Sequence, residues 1–287
     1  MDWQSLLRRI ERGTCTPFLG AGASGDVVPL GSQIARRWAE MHGYPLVDAY
    51  DLVQVAQFLA VTKEPMWPKE EIQDLFAQYA PPDFNDEAQP YAVLAGLPLP
   101  IYLTTNYDDF LIRALRARNK QPVQEFCRWT SRPSFETRPQ IFDRADFTPS
   151  TKAPLVYHLH GQIDIPASLV LTEDDYVDFL VNMARAEIIP PLIRATIAEN
   201  MLLFIGYRLA DWSFRVLYRG LMKTVDPSGR HLNLTVQLEP ADVAASPDQA
   251  KEYLEGYFEK MQVRVFWGRA QDFLTELAER RAASVGR

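Results

Sequence analysis

Two cysteines are all that this 287-residue sequence offers, Cys15 and Cys127, and they stand far apart with no C-x-x-C pair. A four-cysteine zinc site is thereby excluded, and no metal is expected. Both thiols read as reduced, buried and structural. No apolar run approaches the roughly 20 residues a membrane-spanning helix needs, and the opening Met1-Asp2-Trp3-Gln4 lacks the basic-then-apolar character of a secretion signal. The expectation is a cytoplasmic protein without membrane contact. Long basic blocks are missing too, and with a formal net charge of -7 and a pI near 5.2 no direct nucleic-acid binding is expected. A small anion held by backbone amides remains open. Repeats and low-complexity tracts are also absent.

What is present is ample apolar material, 47% of the residues, enough to bury a substantial core. Asp2 followed by Trp3, Leu6, Leu7 and Ile10 predicts a capped amphipathic helix stopped at Gly13. The run 14–19 reads as a strand, although Pro17 suits a strand's first residues better than its middle. From Gly31 to about Leu97 the spacing is helical and broken by prolines. So many helices without an intervening strand exceed one crossover and predict an inserted helical lobe over about 31–97. Apolar runs resume at Ile101–Thr104, Leu155–Leu159, Met201–Ile205, Leu232–Leu238 and Val263–Phe266. Helical patterns lie between them, which suits strands covered on both faces. The fold class is therefore α/β, a Rossmann-like doubly wound, mostly parallel sheet in a single domain over 1–287. The stretch 121–153, rich in Pro, Arg, Thr and Ser, reads as one long functional loop.

Four motifs sit at strand carboxyl ends, where an open parallel sheet places its ligand crevice. Gly20-Ala21-Gly22-Ala23-Ser24 lets the backbone and a following helix N-terminus approach a pyrophosphate, although Gly25 lies one residue late for the usual fingerprint. A plain tight turn is the alternative. In Thr104-Thr105-Asn106-Tyr107-Asp108, Asn106 is expected to face the crevice, and Asn106 or Asp108 to cap the following helix if it does not. In Tyr157-His158-Leu159-His160-Gly161, strand alternation puts both histidines on one face and brings His160, nearer the carboxyl end, to the crevice. His160 is the candidate general base, with Gly161 permitting close approach, and His158 reads as structural. Gly206-Tyr207-Arg208, with Asp211 capping the next helix or binding a sugar, offers a second glycine turn. Thr172 to Asp175 fits a capping box and reads as structural.

The order of these motifs, from Phe18-Leu19-Gly20-Ala21-Gly22-Ala23-Ser24 through Thr105-Asn106-Tyr107-Asp108 and His160-Gly161 to Gly206-Tyr207, resembles the sirtuin superfamily. In particular it resembles the prokaryotic SIR2-like domains of anti-phage defence. The resemblance implies NAD as substrate, with Gly20, Ala21, Gly22 and Ser24 at the pyrophosphate and nearby ribose. Thr105 joins the cofactor-binding set, Asn106 and Asp108 fall at the nicotinamide-ribose pocket, and His160 is the catalytic histidine. Gly161, Gly206 and Tyr207 complete the dinucleotide site, while Arg208 departs from the small hydroxyl residue common there. The missing cysteine quartet removes the zinc module of deacylase sirtuins. The implied activity is hydrolysis of the nicotinamide-ribose bond, with Asn106 and His160 catalytic. A protein deacylase and a catalytically silent NAD or ADP-ribose binding module are the alternatives. The resemblance further implies a homo-oligomer regulated by a separate partner such as a HerA-type ATPase or an Argonaute.

Overall fold

The computed structural model describes residues 2–24, 27–131, 135, 138–184, 188–207, 212–223, 232–238 and 246–285. Gly25, Arg208 and Asp211 therefore lie outside the described residues. Among the described residues seven strands form one sheet: β1 (Cys15–Leu19), β2 (Ile101–Thr104), β3 (Val123–Phe126), β4 (Leu155–His158), β5 (Met201–Ile205), β6 (Asn233–Gln237) and β7 (Val263–Trp267). Their order is β3-β4-β2-β1-β5-β6-β7, and every pairing is parallel. The chain works outward from β1 to one edge, then returns through β5 on the other flank of β1. The strand order reverses between β1 and β5, so the crevice opens at the carboxyl ends of those two strands.

Eleven α-helices among the described residues pack around the sheet. In chain order they are α1 (Trp3–Glu11), α2 (Gly31–His42), α3 (Leu52–Thr62), α4 (Trp67–Ala77), α5 (Pro90–Gly96), α6 (Phe110–Ala117), α7 (Glu173–Ala184), α8 (Pro191–Glu199), α9 (Trp212–Lys223), α10 (Pro247–Glu259) and α11 (Ala270–Val285). One face of the sheet packs with residues of α1, α5, α6 and α11, in a core that holds Ile10, Leu94, Leu115 and Phe273. The opposite face packs with α7 to α10, around Tyr157, Phe179, Ile193 and Leu221. Each such side chain contributes about 1.5–3 kcal/mol on burial. Helices α2, α3 and α4 gather around a third cluster, Ile34, Trp38, Leu59 and Ile72, closed by Leu169 and Leu171 of the chain after β4. The expected Rossmann-like α/β architecture is thus present, and its sheet is parallel throughout.

Local signals explain several elements. Asp2 Oδ1 accepts from Ser5 N at 3.0 Å and starts α1. Thr172 and Asp175 form the expected capping pair at α7, with Thr172 Oγ1 accepting from Asp175 N at 3.2 Å and Asp175 Oδ2 accepting from Thr172 N at 3.0 Å. Pro17 does occupy the middle of β1, yet the pairing of β1 with β2 runs through Phe18 and Leu19, beyond it. The stretch 121–153, read as a loop for want of periodicity, contains edge strand β3, whose half-buried Val123 and Gln124 give it no continuous apolar run.

Candidate active site

The turns that follow β1 and β5 are bonded to each other through main chain. Gly20 N donates to Ile205 O and Gly22 N to Gly206 O, each at 2.9 Å, and Ala23 N returns to Gly20 O at 2.9 Å. Three amides of the glycine turn are therefore already satisfied within the protein. Gly206 has φ +83°, and a Cβ there would lie 2.2 Å from Ala23 N, so no other residue lets these backbones meet. Tyr207 closes over the turn. Its hydroxyl donates to Leu19 O at 2.9 Å, which leaves the Thr105 hydroxyl, 2.8 Å away, to donate to it.

Asn106 follows β2 and is 9% exposed, with three of its polar groups held by protein. Its N–H donates to Thr104 Oγ1 at 2.9 Å, its carbonyl accepts from His158 Nδ1 at 2.9 Å, and its Nδ2 donates to the Tyr91 hydroxyl at 3.2 Å. Because a carbonyl only accepts, His158 carries its proton on Nδ1. Its Nε2 then accepts from the Gln124 amide at 3.2 Å. The Tyr91 hydroxyl also meets Ser24 Oγ at 2.8 Å, so Ser24, Tyr91 and Asn106 form one continuous chain. Asp108, not Asn106, caps α6, with Oδ1 accepting from Phe110 N at 3.0 Å.

His160 stands two residues beyond the end of β4. The alternation expected to align it with His158 stops there, because the pleat ends at His158. The His160 ring packs edge-on against Tyr176 at 5.2 Å and Phe179 at 5.1 Å, both of α7, on the side where Tyr157 and Leu159 are buried. Its Nε2 is buried and has no hydrogen-bond partner among the described residues. Gly161 behind it has φ +88°, and a Cβ there would lie 2.2 Å from Ser168 O, so this glycine locks the turn against the Pro166–Ser168 segment. No hydrogen bond joins His160 to Asn106 among the described residues. A cleft of about 650 Å³ opens elsewhere, past β3 between Arg128, Phe135, Asn182 and Ile188, and includes none of these groups.

Sequence reasoning missed Tyr91, which reads as one more apolar position on α5, and the clasp of His158 on the Asn106 carbonyl. It also missed the aromatic pair Tyr176 and Phe179, for which helical spacing on α7 is a signal only of burial. Among the described residues, no three His, Cys, Asp or Glu side chains group to hold a metal ion, and no helix is long and apolar enough to cross a membrane. Cys15 and Cys127 are buried, and burial pushes both thiols up to about 12.

Burial also raises the Asp108 carboxyl to about 7 and lowers His158 to about 4 and His160 to about 3. These shifts act on stability with opposite signs. Asp108 binds its proton more tightly when folded, so its contribution is fully present below its ordinary 3.8 and is lost as pH rises towards 7. The histidines bind protons more weakly when folded. Their contribution is present above the ordinary 6.5 and is lost as pH falls through 4 and 3. Asp108→Asn, which keeps an acceptor for Phe110 N, is expected to raise the melting temperature by several degrees at pH 8 and hardly at all at pH 4. Thermal denaturation at the two pH values checks this, and an equal change at both refutes it.

Residues 100–266 match the family model described as SIR2-like domain. Three similar curated proteins are each named NAD(+) hydrolase ThsA. The one from Enterococcus faecium is 25% identical over 225 residues, covering 74% of this chain and 41% of that protein. The Bacillus cereus (strain MSX-D12) protein is 26% identical over 200 residues, covering 68% and 37%. The Cytobacillus dafuensis protein is 26% identical over 234 residues, covering 79% and 42%. The chain thus spans about two fifths of the length of these relatives. A solved structure described as "Structural Basis for the Mechanism and Regulation of Sir2 Enzymes" aligns with 100% of the chain and 99% of its own, at 13% identity and a TM-score of 0.44.

Proposed function

The chain belongs to the SIR2-like domain family, and from that premise we propose that it hydrolyses NAD, breaking the nicotinamide-ribose bond with water to give nicotinamide, ADP-ribose and a proton. The observation that carries the reading is that a buried His160 Nε2 without a hydrogen-bond partner among the described residues and an Asn106 held by three hydrogen bonds both follow carboxyl ends of the parallel sheet. The names of the curated relatives support the same chemistry.

Nicotinamide leaves from a cationic ring, so the bond needs little acid assistance, and the protein supplies position and polarity. Asn106 orients the ribose and the attacking water. His160, neutral across the physiological range, accepts a hydrogen bond from that water or a ribose hydroxyl and takes its proton as the new bond forms. Because the Gly20 and Gly22 amides are committed to the β5 side, the glycine turn acts chiefly by allowing close approach. Ser24, Thr105 and Asp108 then provide polar contacts to the dinucleotide, with Gly161 beside the reacting ribose and Gly206 and Tyr207 beside the adenosine half.

In the cell we assign the protein to the cytoplasm, as a NAD-depleting effector of anti-phage defence. Its turnover is checked by assembly into a homo-oligomer with a separate partner, such as a HerA-type ATPase or an Argonaute. Incubation with NAD alone is expected to release nicotinamide. Release only after an acetylated peptide is added establishes a deacylase instead, and binding without release establishes a silent module. Light scattering, with turnover measured before and after adding the partner, tests the assembly, and a monomer at full rate alone refutes it.

A further inference from the structure

We infer that Tyr91, a helical residue outside the proposed catalytic pair, is a positioning residue that sets which end of the Asn106 amide faces the crevice. This rests on the reading of Asn106 given above. A primary amide has two distinct ends, a donating NH2 and an accepting oxygen, and it can flip between them. Which end meets a ligand decides whether the residue can accept a hydrogen bond from a hydroxyl or water.

The main chain cannot settle this choice. Thr104 Oγ1 and His158 Nδ1 hold the Asn106 N–H and carbonyl, fixing where the residue stands but not which way its amide is turned. The Tyr91 hydroxyl supplies the missing constraint. It accepts from Asn106 Nδ2 at 3.2 Å and shares a 2.8 Å hydrogen bond with Ser24 Oγ in which either oxygen can donate; with the phenol proton in that bond, only the NH2 end of Asn106 can meet Tyr91. With Nδ2 engaged by α5, Asn106 Oδ1 accepts no hydrogen bond from the described residues. It is also not sealed from solvent, unlike His160 Nε2. The accepting end is thus turned to the crevice, the polarity required to align a water or a ribose hydroxyl. The phenol itself is well fixed, since Tyr91 is 1% exposed and its ring meets Phe110 edge-on at 6.0 Å. Its other partner, Ser24, lies in the glycine turn, so the same hydroxyl joins the dinucleotide turn to the catalytic amide.

Tyr91→Phe removes the hydroxyl and keeps the ring packed on Phe110. In the full chain labelled with 15N-asparagine, the Asn106 side-chain NH2 pair, assigned by its loss in Asn106→Asp, is expected to shift and to exchange faster with water in Tyr91→Phe. An unchanged pair overturns the inference, whether or not the protein cleaves NAD. In the nicotinamide assay the same variant is expected to lose kcat 10- to 100-fold with KM for NAD changed less than threefold. Unchanged kcat in an active protein also overturns it, as does a loss confined to KM. Should the parent chain release no nicotinamide, the proposed hydrolysis fails and the resonance alone decides for Tyr91. Tyr91→Met, which keeps an apolar filler without a ring, is expected to reproduce the loss of kcat. Recovery of activity in it assigns the effect to ring packing and overturns the role of the hydroxyl.

Discussion

Nicotinamide release by His160→Ala is expected to fall on the order of 10²- to 10⁴-fold, the range that a well-placed general base contributes. The ring stands between Tyr176 and Phe179 and presents a nitrogen that no described group engages. A buried ring nitrogen left open costs about 1–3 kcal/mol, a penalty that a hydrogen-bonding group of the proposed ligand would offset. His160→Gln keeps a polar side chain without a titratable base, and it should lose turnover nearly as far while melting close to the parent chain. The pH profile gives a second mark. Burial holds the imidazole near 3 in the free protein, so it is already neutral well below neutrality. On the acid side His160 should therefore add no limb to kcat/KM, which reports the free enzyme's ionisations, down to about pH 5, and a limb near 7 belongs to Asp108 and vanishes in Asp108→Asn. An acid limb at the ordinary histidine value, vanishing in His160→Gln, would show that the residue is solvated and misplaced here. Undiminished turnover in His160→Ala would remove it from the mechanism.

The second large effect falls on stability. Lys69 of α4 and Asp175 of α7 form an ion pair at 2.8 Å whose side chains are 2% and 10% exposed. Asp175 Oδ2 also accepts from Leu171 N at 3.1 Å and Thr172 N at 3.0 Å, and Lys69 Nζ lies 5.4 Å from the centre of the Trp129 ring. Asp175→Ala removes a carboxylate paired with a buried ammonium and, with it, the cap of α7. It is expected to cost about 3–5 kcal/mol, a fall in melting temperature on the order of 10 °C. Lys69→Met keeps the apolar stem, and Asp175 retains both amides, so its cost should be about half as large. Calorimetric melting of the two variants decides the matter, and a larger loss for Lys69→Met contradicts this assignment. Because α7 also carries Tyr176 and Phe179, a loosened α7 should also reduce turnover at temperatures where the chain is still folded.

How much of this was legible depended on whether chemistry and periodicity coincided. Continuous apolar runs such as Met201–Ile205 announce strands covered on both faces, and the glycine turns mark where they end. Strand β3 escaped notice because an edge position tolerates Gln124, a residue that proves useful in holding His158. Helix α11 escaped for a similar reason, its buried Phe273, Leu274 and Leu277 standing among many charges. At the site, residue types that do chemistry stand out in a sequence, and so Asn106 and His160 could be singled out. Tyr91 could not, since a tyrosine on an apolar helix face shows its role only when the partner of its hydroxyl is known. The alternation argument chose His160 while misplacing it, for a pleat rule holds only as far as the strand runs.

The bonding of the two turns also bears on biosynthesis. Leu19 O takes its hydrogen bond from a tyrosine hydroxyl 188 residues further along, and Gly22 needs the carbonyl of Gly206. At about 5–20 residues per second, a ribosome takes roughly 10 to 40 s to make that intervening chain. Throughout that time the first half of the crevice has no wall and the central strand no β5. A nascent polypeptide of this kind cannot yet close the crevice, so the proposed NAD cleavage has to wait for the chain beyond Gly206. The crevice is complete only when its last wall has left the exit tunnel.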